Sequence, residues 1–189
     1  MISRGPEYLN KLANEINQTG GEVCRKSRVF VVRTDSYQAA PFPVPDYTPA
    51  SIRSAFCNIR SHFSISTSPL RVALFNVGYS AWKPFLSVTE EDVRESLDVN
   101  VLAAYAFSRE VLLELTKNDF EQPSEGGKGG ARKRGTLLFT GATAALRGNT
   151  TSSAFAIGKF GVRALSQSLA KEFGKQNIHA SSHLCISTL

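Results

Sequence analysis

Two runs of consecutive apolar residues, RVALFNVG (71–78) and GTLLFTG (135–141), restrict the folds open to this chain more than anything else in it. A strand with one wet face alternates apolar and polar side chains. An unbroken apolar run is the pattern of a strand covered on both faces, as in a parallel sheet. What surrounds these runs is helical. Leu9, Leu12, Ala13 and Ile16 follow the i, i+3, i+4, i+7 spacing, with Pro6 suited to the first turn and Gly20-Gly21 ending it. Thr48-Pro49 opens a second helix with an apolar face of Ile52, Ala55, Phe56 and Ile59.

The remaining elements continue the alternation. RVFVV (28–32) reads as a strand, whereas the proline-punctuated AAPFPVPDYTP (39–49) should be irregular or edge-like. Thr89-Glu90-Glu91-Asp92 resembles a capping box opening a long helix to Thr116. Its expected buried stripe is Val93, Leu97, Val101, Ala104, Val111 and Leu115. A helix ending at Phe173 places Leu165, Leu169 and Phe173 on one face, and NIHASSHLCI (177–186) is a last strand. Helices alternating with apolar strands predict an α/β layered fold with a parallel sheet, and 189 residues suit a single domain. Ligands of such sheets sit at the carboxyl ends of the strands, here FNVG and FTGA.

Several function classes are disfavoured. The net charge of +6 suggests a polyanion partner, yet the one dense basic cluster, Lys128, Arg132, Lys133 and Arg134, lies in a glycine-rich segment without interleaved aromatics. That composition reads as a solvated loop with no stacking platform for bases, so no nucleic-acid partner is expected. No apolar run approaches the roughly 20 residues of a membrane span, and the first residues have no apolar signal core. Cys24, Cys57 and Cys185 form no CxxC, and His62, His179 and His183 supply no ligand set. A reduced, cytoplasmic protein without a metal site is the expectation.

Taken together and in order, FNVG, the asparagine in DVNVLAAYAF, GTLLFTGA and FAIGKFGVRALSQSLAKEF resemble the short-chain dehydrogenase/reductase family. Within it they are similar to oxidoreductases bearing a TLIFTGATASLRG-like strand and loop. The resemblance runs from about Ser3 to His179. It implies a Rossmann-like parallel sheet with helices on both faces, forming one partial NAD(P)-binding domain over residues 1–189. It also implies a small carbonyl or alcohol substrate, and a homodimer or tetramer built through the helices 89–116 and 154–174.

The same resemblance assigns roles. Asn76, Val77 and Gly78 would hold the nucleotide side of the cofactor, with Asn76 tying neighbouring strands. Asn100 would keep the long helix locally open and position a water for the catalytic lysine. Lys159 would be that lysine, bonding the nicotinamide ribose and lowering a neighbouring phenol's pKa by its charge. Taken singly, Asn76 reads as a turn asparagine and Lys159 as a solvated helix lysine; the shared order of motifs argues otherwise.

Two members of the active constellation are replaced. Phe155 stands at the family's tyrosine position, four before Lys159, and Ala142 stands at its serine position. Phenylalanine has no proton to give and alanine cannot hydrogen-bond a carbonyl. Thr140, Thr143, Ser152 and Ser153 are nearby hydroxyls, each a far poorer acid than a phenol. The family's Thr-Gly-x-x-x-Gly-x-Gly loop, which brings a pyrophosphate against a helix N-terminus, does not occur in this sequence.

The expectation is therefore a chain that starts at the tip of the second strand, with the first βα unit and part of that strand missing and the substrate lid absent at the far end. In the order 3-2-1-4-5-6 this leaves a central gap, so that strand 3 is marooned or pairs directly with RVALF. Arg4 falls where a basic residue favours NADP over NAD by meeting a 2′-phosphate, or is a surface arginine near the terminus. The adenine-contacting aspartate is Asp35, after RVFVV, or Asp46, after AAPFPVP; one segment looks extra, and Val23 to Gln38 reads as an insertion. Three readings follow: an NAD(P)-dependent oxidoreductase, a nucleotide-binding pseudoenzyme or scaffold, and a non-functional truncated product.

Overall fold

The computed structural model describes residues 1–18, 39–64, 66–120 and 133–185. The apolar run of GTLLFTG forms the middle of the main sheet. β4 (Gly135–Ala142) lies between β3 (Val72–Phe75) and β5 (Ile178–Cys185), all parallel, with Phe75 opposite Phe139 and Ala142 opposite Cys185. A second, two-stranded parallel sheet pairs β1 (Ile2–Ser3) with β2 (Phe42–Pro43). Of the two outcomes expected for the strand before the second helix, the marooned one is found: among the described residues it pairs with β1 and not with β3. The strand itself comes from the proline-punctuated segment. RVFVV and the suggested insertion at Val23 to Gln38 lie outside the described residues.

The helices begin where their caps place them. In α1 (Pro6–Gln18), Leu9, Leu12, Ala13 and Ile16 are all buried, as the spacing predicts. Thr48 caps α2 (Pro49–His62), its hydroxyl accepting from Ser51 N–H at 3.3 Å, with Pro49 in the first helical position. The capping box at Thr89 is complete. Asp92 N–H donates to the Thr89 hydroxyl at 3.1 Å, and Thr89 N–H donates to Asp92 Oδ2 at 2.9 Å.

The long helix is interrupted. α3 (Glu90–Ser96) passes into a π turn over Leu97–Leu102 before α4 (Ala103–Leu115); Ala103 N–H bonds Asp98 O, five residues back. A π turn inserts a residue into the helical repeat, so a stripe extrapolated at 3.6 residues per turn loses its phase there. Leu97 of the expected stripe is accordingly 40% exposed, and the buried side of this stretch is polar, with Ser96 and Asn100 both fully enclosed. Beyond the turn the stripe recovers through Ala104, Val111 and Leu115.

One core unites these layers. Ala73, Phe75, Leu137, Phe139 and Ile178 of the main sheet pack with Ile52 and Phe56 of α2, Ala103 to Leu115 of α4, and Val162 of α5 (Ser153–Phe173). Leu165, Leu169 and Phe173 border the same cluster. Sheet coverage is unequal: Gly135, Leu137, Phe139 and Gly141 are buried, while Thr136, Leu138 and Thr140 between them are half-buried. In β3, Val72 is 40% exposed. Among the described residues, α2, α4 and α5 pack on one face of the main sheet, and α1 packs on the small sheet. Arg60 ties α2 to α4, reaching Glu110 at 2.7 Å and Glu114 at 2.8 Å.

Candidate functional site

β3 and β4 end side by side, and a threonine joins three of the elements around them. The Thr140 hydroxyl donates to Asn76 Oδ1 at 2.7 Å, holding the end of β3 against β4. The carbonyl of the same residue accepts from Lys159 Nζ at 3.0 Å, so α5 delivers its ammonium to the same strand end. Gly78 completes the convergence: a Cβ there would lie 3.4 Å from both Lys159 Nζ and Asn100 Oδ1. Asn76, Gly78, Asn100 and Lys159, singled out from sequence, thus meet at the carboxyl end of the sheet. Val77, between the two exposed positions, turns inward and packs against the core.

Lys159 is only 6% exposed, and burial holds its ammonium below the ordinary lysine pKa. Among the described residues it forms no ion pair. Its other neighbour is the Phe155 ring, whose centroid lies 5.8 Å from Nζ. Among the described residues Thr140 O is its one hydrogen-bond acceptor, which leaves its remaining N–H donors uncommitted.

Asn100 is the reason the helix opens. Its Nδ2 donates to Ser96 O, one turn back, at 3.0 Å and to Tyr79 O at 3.0 Å, drawing side-chain bonds onto carbonyls at the π turn. Oδ1 is buried without a partner and faces Gly78. Ser96 donates to Ala154 O at 2.6 Å, locking the turn to the first residues of α5. The contact is possible because residue 158 is glycine; a Cβ there would fall 2.7 Å from Asn100 Nδ2.

Residues 79–84 form a strap beside this strand end, tied to α3, the π turn and α5. Lys83 N–H donates to Thr151 O at 3.0 Å, and Lys83 Nζ lies 2.8 Å from both Asp92 oxygens. Asp92 also accepts from Tyr79 Oη at 3.3 Å. The Lys83 ammonium first, then the Thr89 N–H, hold the Asp92 carboxyl far below the usual range. Between these anchors Trp82 packs on Phe155, ring centroids 5.4 Å apart and tilted by 46°.

Of the four hydroxyls near the position of the missing phenol, two are already committed. The Thr140 hydroxyl is committed to Asn76. The Ser152 hydroxyl is enclosed and bonded to Asn149 in both directions, accepting from its N–H and donating to its carbonyl. Ser153 Oγ is buried without a partner, while Thr143 is exposed. At the other end, Arg4 follows β1 and stacks its guanidinium over Tyr47 at 4.8 Å. Asp46, three residues after β2, accepts from Thr48 N–H and hydroxyl. Asp35 lies outside the described residues. The sequence reading missed Ser96, Gly158, Trp82 and the Lys83–Asp92 pair. Only Gly158 carried a sequence signal, a glycine inside a helix beside the lysine.

Solved structures share this architecture. A short-chain dehydrogenase from Rhodopseudomonas palustris is 28% identical, with a TM-score of 0.69 covering 97% of this chain and 70% of that one. An alcohol dehydrogenase from Thermococcus sibiricus complexed with 5-hydroxy-NADP is 16% identical, with a TM-score of 0.69 covering 97% and 62%. Among curated proteins, the 3-oxoacyl-[acyl-carrier-protein] reductase MabA of Mycobacterium tuberculosis is 23% identical over 131 residues, 69% of this chain and 46% of that protein. The chain thus spans about half the length of the curated relatives it matches. The family model for short chain dehydrogenases matches residues 2–186, and the chain belongs to that family.

Proposed function

We propose that this chain carries the nicotinamide-side half of a short-chain dehydrogenase site, able to hold NADP or NAD but impaired in hydride transfer to a carbonyl. The observation that carries this reading is the convergence of Lys159 Nζ and Asn100 Oδ1 on Gly78, beside a phenylalanine where the proton donor belongs. When bound, the nicotinamide supplies or accepts the hydride. The chain's own part is to bind and orient. Lys159 would donate to the ribose hydroxyls, the backbone from Asn76 to Gly78 would hold the nucleotide side, and Asn100 Oδ1 would accept from a water shared with Lys159. Arg4, directly after β1, would favour NADP by meeting a 2′-phosphate. The fit is partial, because the sequence contains no glycine-rich pyrophosphate loop.

Proton transfer is the weak step. Phe155 donates nothing, Ala142 cannot hold the carbonyl oxygen, and the nearby enclosed hydroxyl of Ser152 is spent on its own turn. Loss of a general acid typically costs about 10² to 10⁴ in rate, and loss of an oxyanion donor about 10² to 10³, although such losses need not multiply. A reductase relative and an alcohol dehydrogenase of the same fold support a carbonyl/alcohol pair as the substrate class. Self-association belongs to the same reading: Leu97, Leu102, Tyr105 and Leu113 on α3–α4 and Ile157 and Phe160 on α5 leave apolar surface exposed along both helices.

A thermal melt with and without millimolar NADPH tests the binding half. Ligand at 100 times its Kd adds about 2.7 kcal/mol, a clear upward shift. An unmoved transition overturns the proposal, and turnover at ordinary enzyme rates overturns the impairment.

A further inference from the structure

We propose that Trp82 and Phe155 form an aromatic platform selecting a flat, conjugated ring on the carbonyl substrate, so that the residue in the proton-donor position sets specificity. This rests on the cofactor-site reading above and names the substrate class for it.

The platform is built from two elements. Phe155 projects from the first turns of α5, and Trp82 from the strap that follows β3. One edge of the pair lies beside the Lys159 ammonium, which stands 5.8 Å from the Phe155 centroid. The other is open: the indole is 60% exposed although it packs on a helix, and Phe85 and Leu86 just beyond it are exposed as well. Contiguous uncovered aromatic and aliphatic surface beside a site marks a place where an apolar group is bound.

The indole is also held still. Lys83 N–H bonds Thr151 O, Lys83 Nζ grips both Asp92 oxygens, and Tyr79 O receives Asn100 Nδ2. A ring presented on a clamped strap loses little freedom when a ligand stacks on it. Charge points the same way. The ammonium next to Trp82 is neutralised by Asp92, so the strap offers an anionic headgroup little at this point. An offset or edge-to-face partner for a planar ring is what the tilted pair offers, and such a contact is worth about three- to tenfold in affinity.

Titration calorimetry with 2-acetonaphthone and its saturated counterpart, 2-acetyldecahydronaphthalene, with and without NADP, tests this. The expected result is binding of the aromatic ketone about three- to tenfold tighter than the saturated one. The preference should vanish in Trp82→Ala and Phe155→Leu and persist in Phe155→Tyr and Trp82→Phe, which keep the rings. Equal affinities, absence of binding by either ketone, or a preference that survives Trp82→Ala overturns it. Because Trp82 is the only tryptophan in the chain, its emission confirms that each variant retaining it still folds around the strap. A melt that shifts with NADPH alongside equal ketone affinities sinks the platform alone. An aromatic preference without any NADPH shift sinks the cofactor reading and leaves the platform standing.

Discussion

Gly158 faces Asn100 so closely that a Cβ added to it would lie 2.7 Å from Nδ2, and 2.7 Å from Ser96 Oγ. That spacing lets α5 lie against the π turn, and it fixes where the next residue, Lys159, delivers its ammonium. In an open helix Gly→Ala gains roughly 0.5–1 kcal/mol. Here the added methyl meets fully enclosed side chains that carry the site's hydrogen bonds, and overpacking costs about 1–3 kcal/mol. Gly158→Ala is therefore expected to lower the urea midpoint by a net loss of about 1–2 kcal/mol and to weaken any NADPH shift. An unchanged midpoint would show that the junction relaxes freely.

How much of this could be read beforehand follows from which features are local. The caps at Thr48 and Thr89, and the apolar faces of α1 and α2, are set by spacing within a few residues, and they appear where the spacing puts them. The meeting of Asn76, Asn100 and Lys159 was legible because a family motif carries it in order. The buried stripe of the long helix was misread at Leu97, because the opening that the resemblance implies at Asn100 is a π turn, which changes the phase of the repeat. The Lys83–Asp92 clamp and the Trp82–Phe155 contact were invisible for another reason. Each joins a loop to a helix, and no periodicity links partners across a fold.

Lys159→Met separates the lysine's binding role from its cost. Among the described residues the buried ammonium has no ion-pair partner, and its folded pKa lies below the unfolded value near 10.4. Between those two values the unfolded chain binds more protons, so stability rises with pH through that window. Below it the desolvation cost stands in full. Methionine conserves the volume and removes the charge, so the variant is expected to be at least as stable as the parent at neutral pH. It should lack the parent's gain toward pH 10 and lose the NADPH shift. A variant that is destabilised at pH 7 yet still shifts with NADPH would contradict both roles.

Asp92 gives the opposite slope. Its folded pKa is depressed by Lys83 and by the Thr89 N–H, so its contribution is fully present above the unfolded value of about 3.9 and is lost as pH falls below that. Lys83, whose folded pKa is raised chiefly by its bond to Asp92, contributes below about 10.4 and loses that contribution as pH rises through the folded value. Asp92→Asn should flatten the acid limb between about pH 4 and pH 2 relative to the parent and leave Trp82 more mobile. Melts across pH, read with tryptophan emission, check both. Parallel acid limbs in the two proteins would remove the clamp from the account.

The exposed apolar surface of α3–α4 and α5 predicts self-association. Sedimentation at micromolar protein is expected to show a dimer or tetramer, and Tyr105→Glu should shift it toward monomer, since a desolvated carboxylate without a partner is costly at an interface. Monomer at every concentration would refute the helices as an interface.

Phe155→Tyr is the sharpest test of what this site has lost. The ring is half-buried, so a hydroxyl at its edge can reach water and costs little in stability. It also lies on the ring that already neighbours the Lys159 ammonium, whose charge lowers a phenol's pKa and makes it a better acid near neutrality. With NADPH and an aryl ketone, the substitution is expected to raise turnover by about 10² to 10⁴ over the parent. Adding Ala142→Ser, which supplies a donor for the carbonyl oxygen, should raise it by up to about a further 10² to 10³. Two failures would mean different things. If NADPH shifts the melt of the double variant and no turnover appears, the carbonyl is not held within reach of the restored acid. If NADPH shifts nothing, the cofactor half of the site is absent in fact, and no proton donor at residue 155 can bring it back.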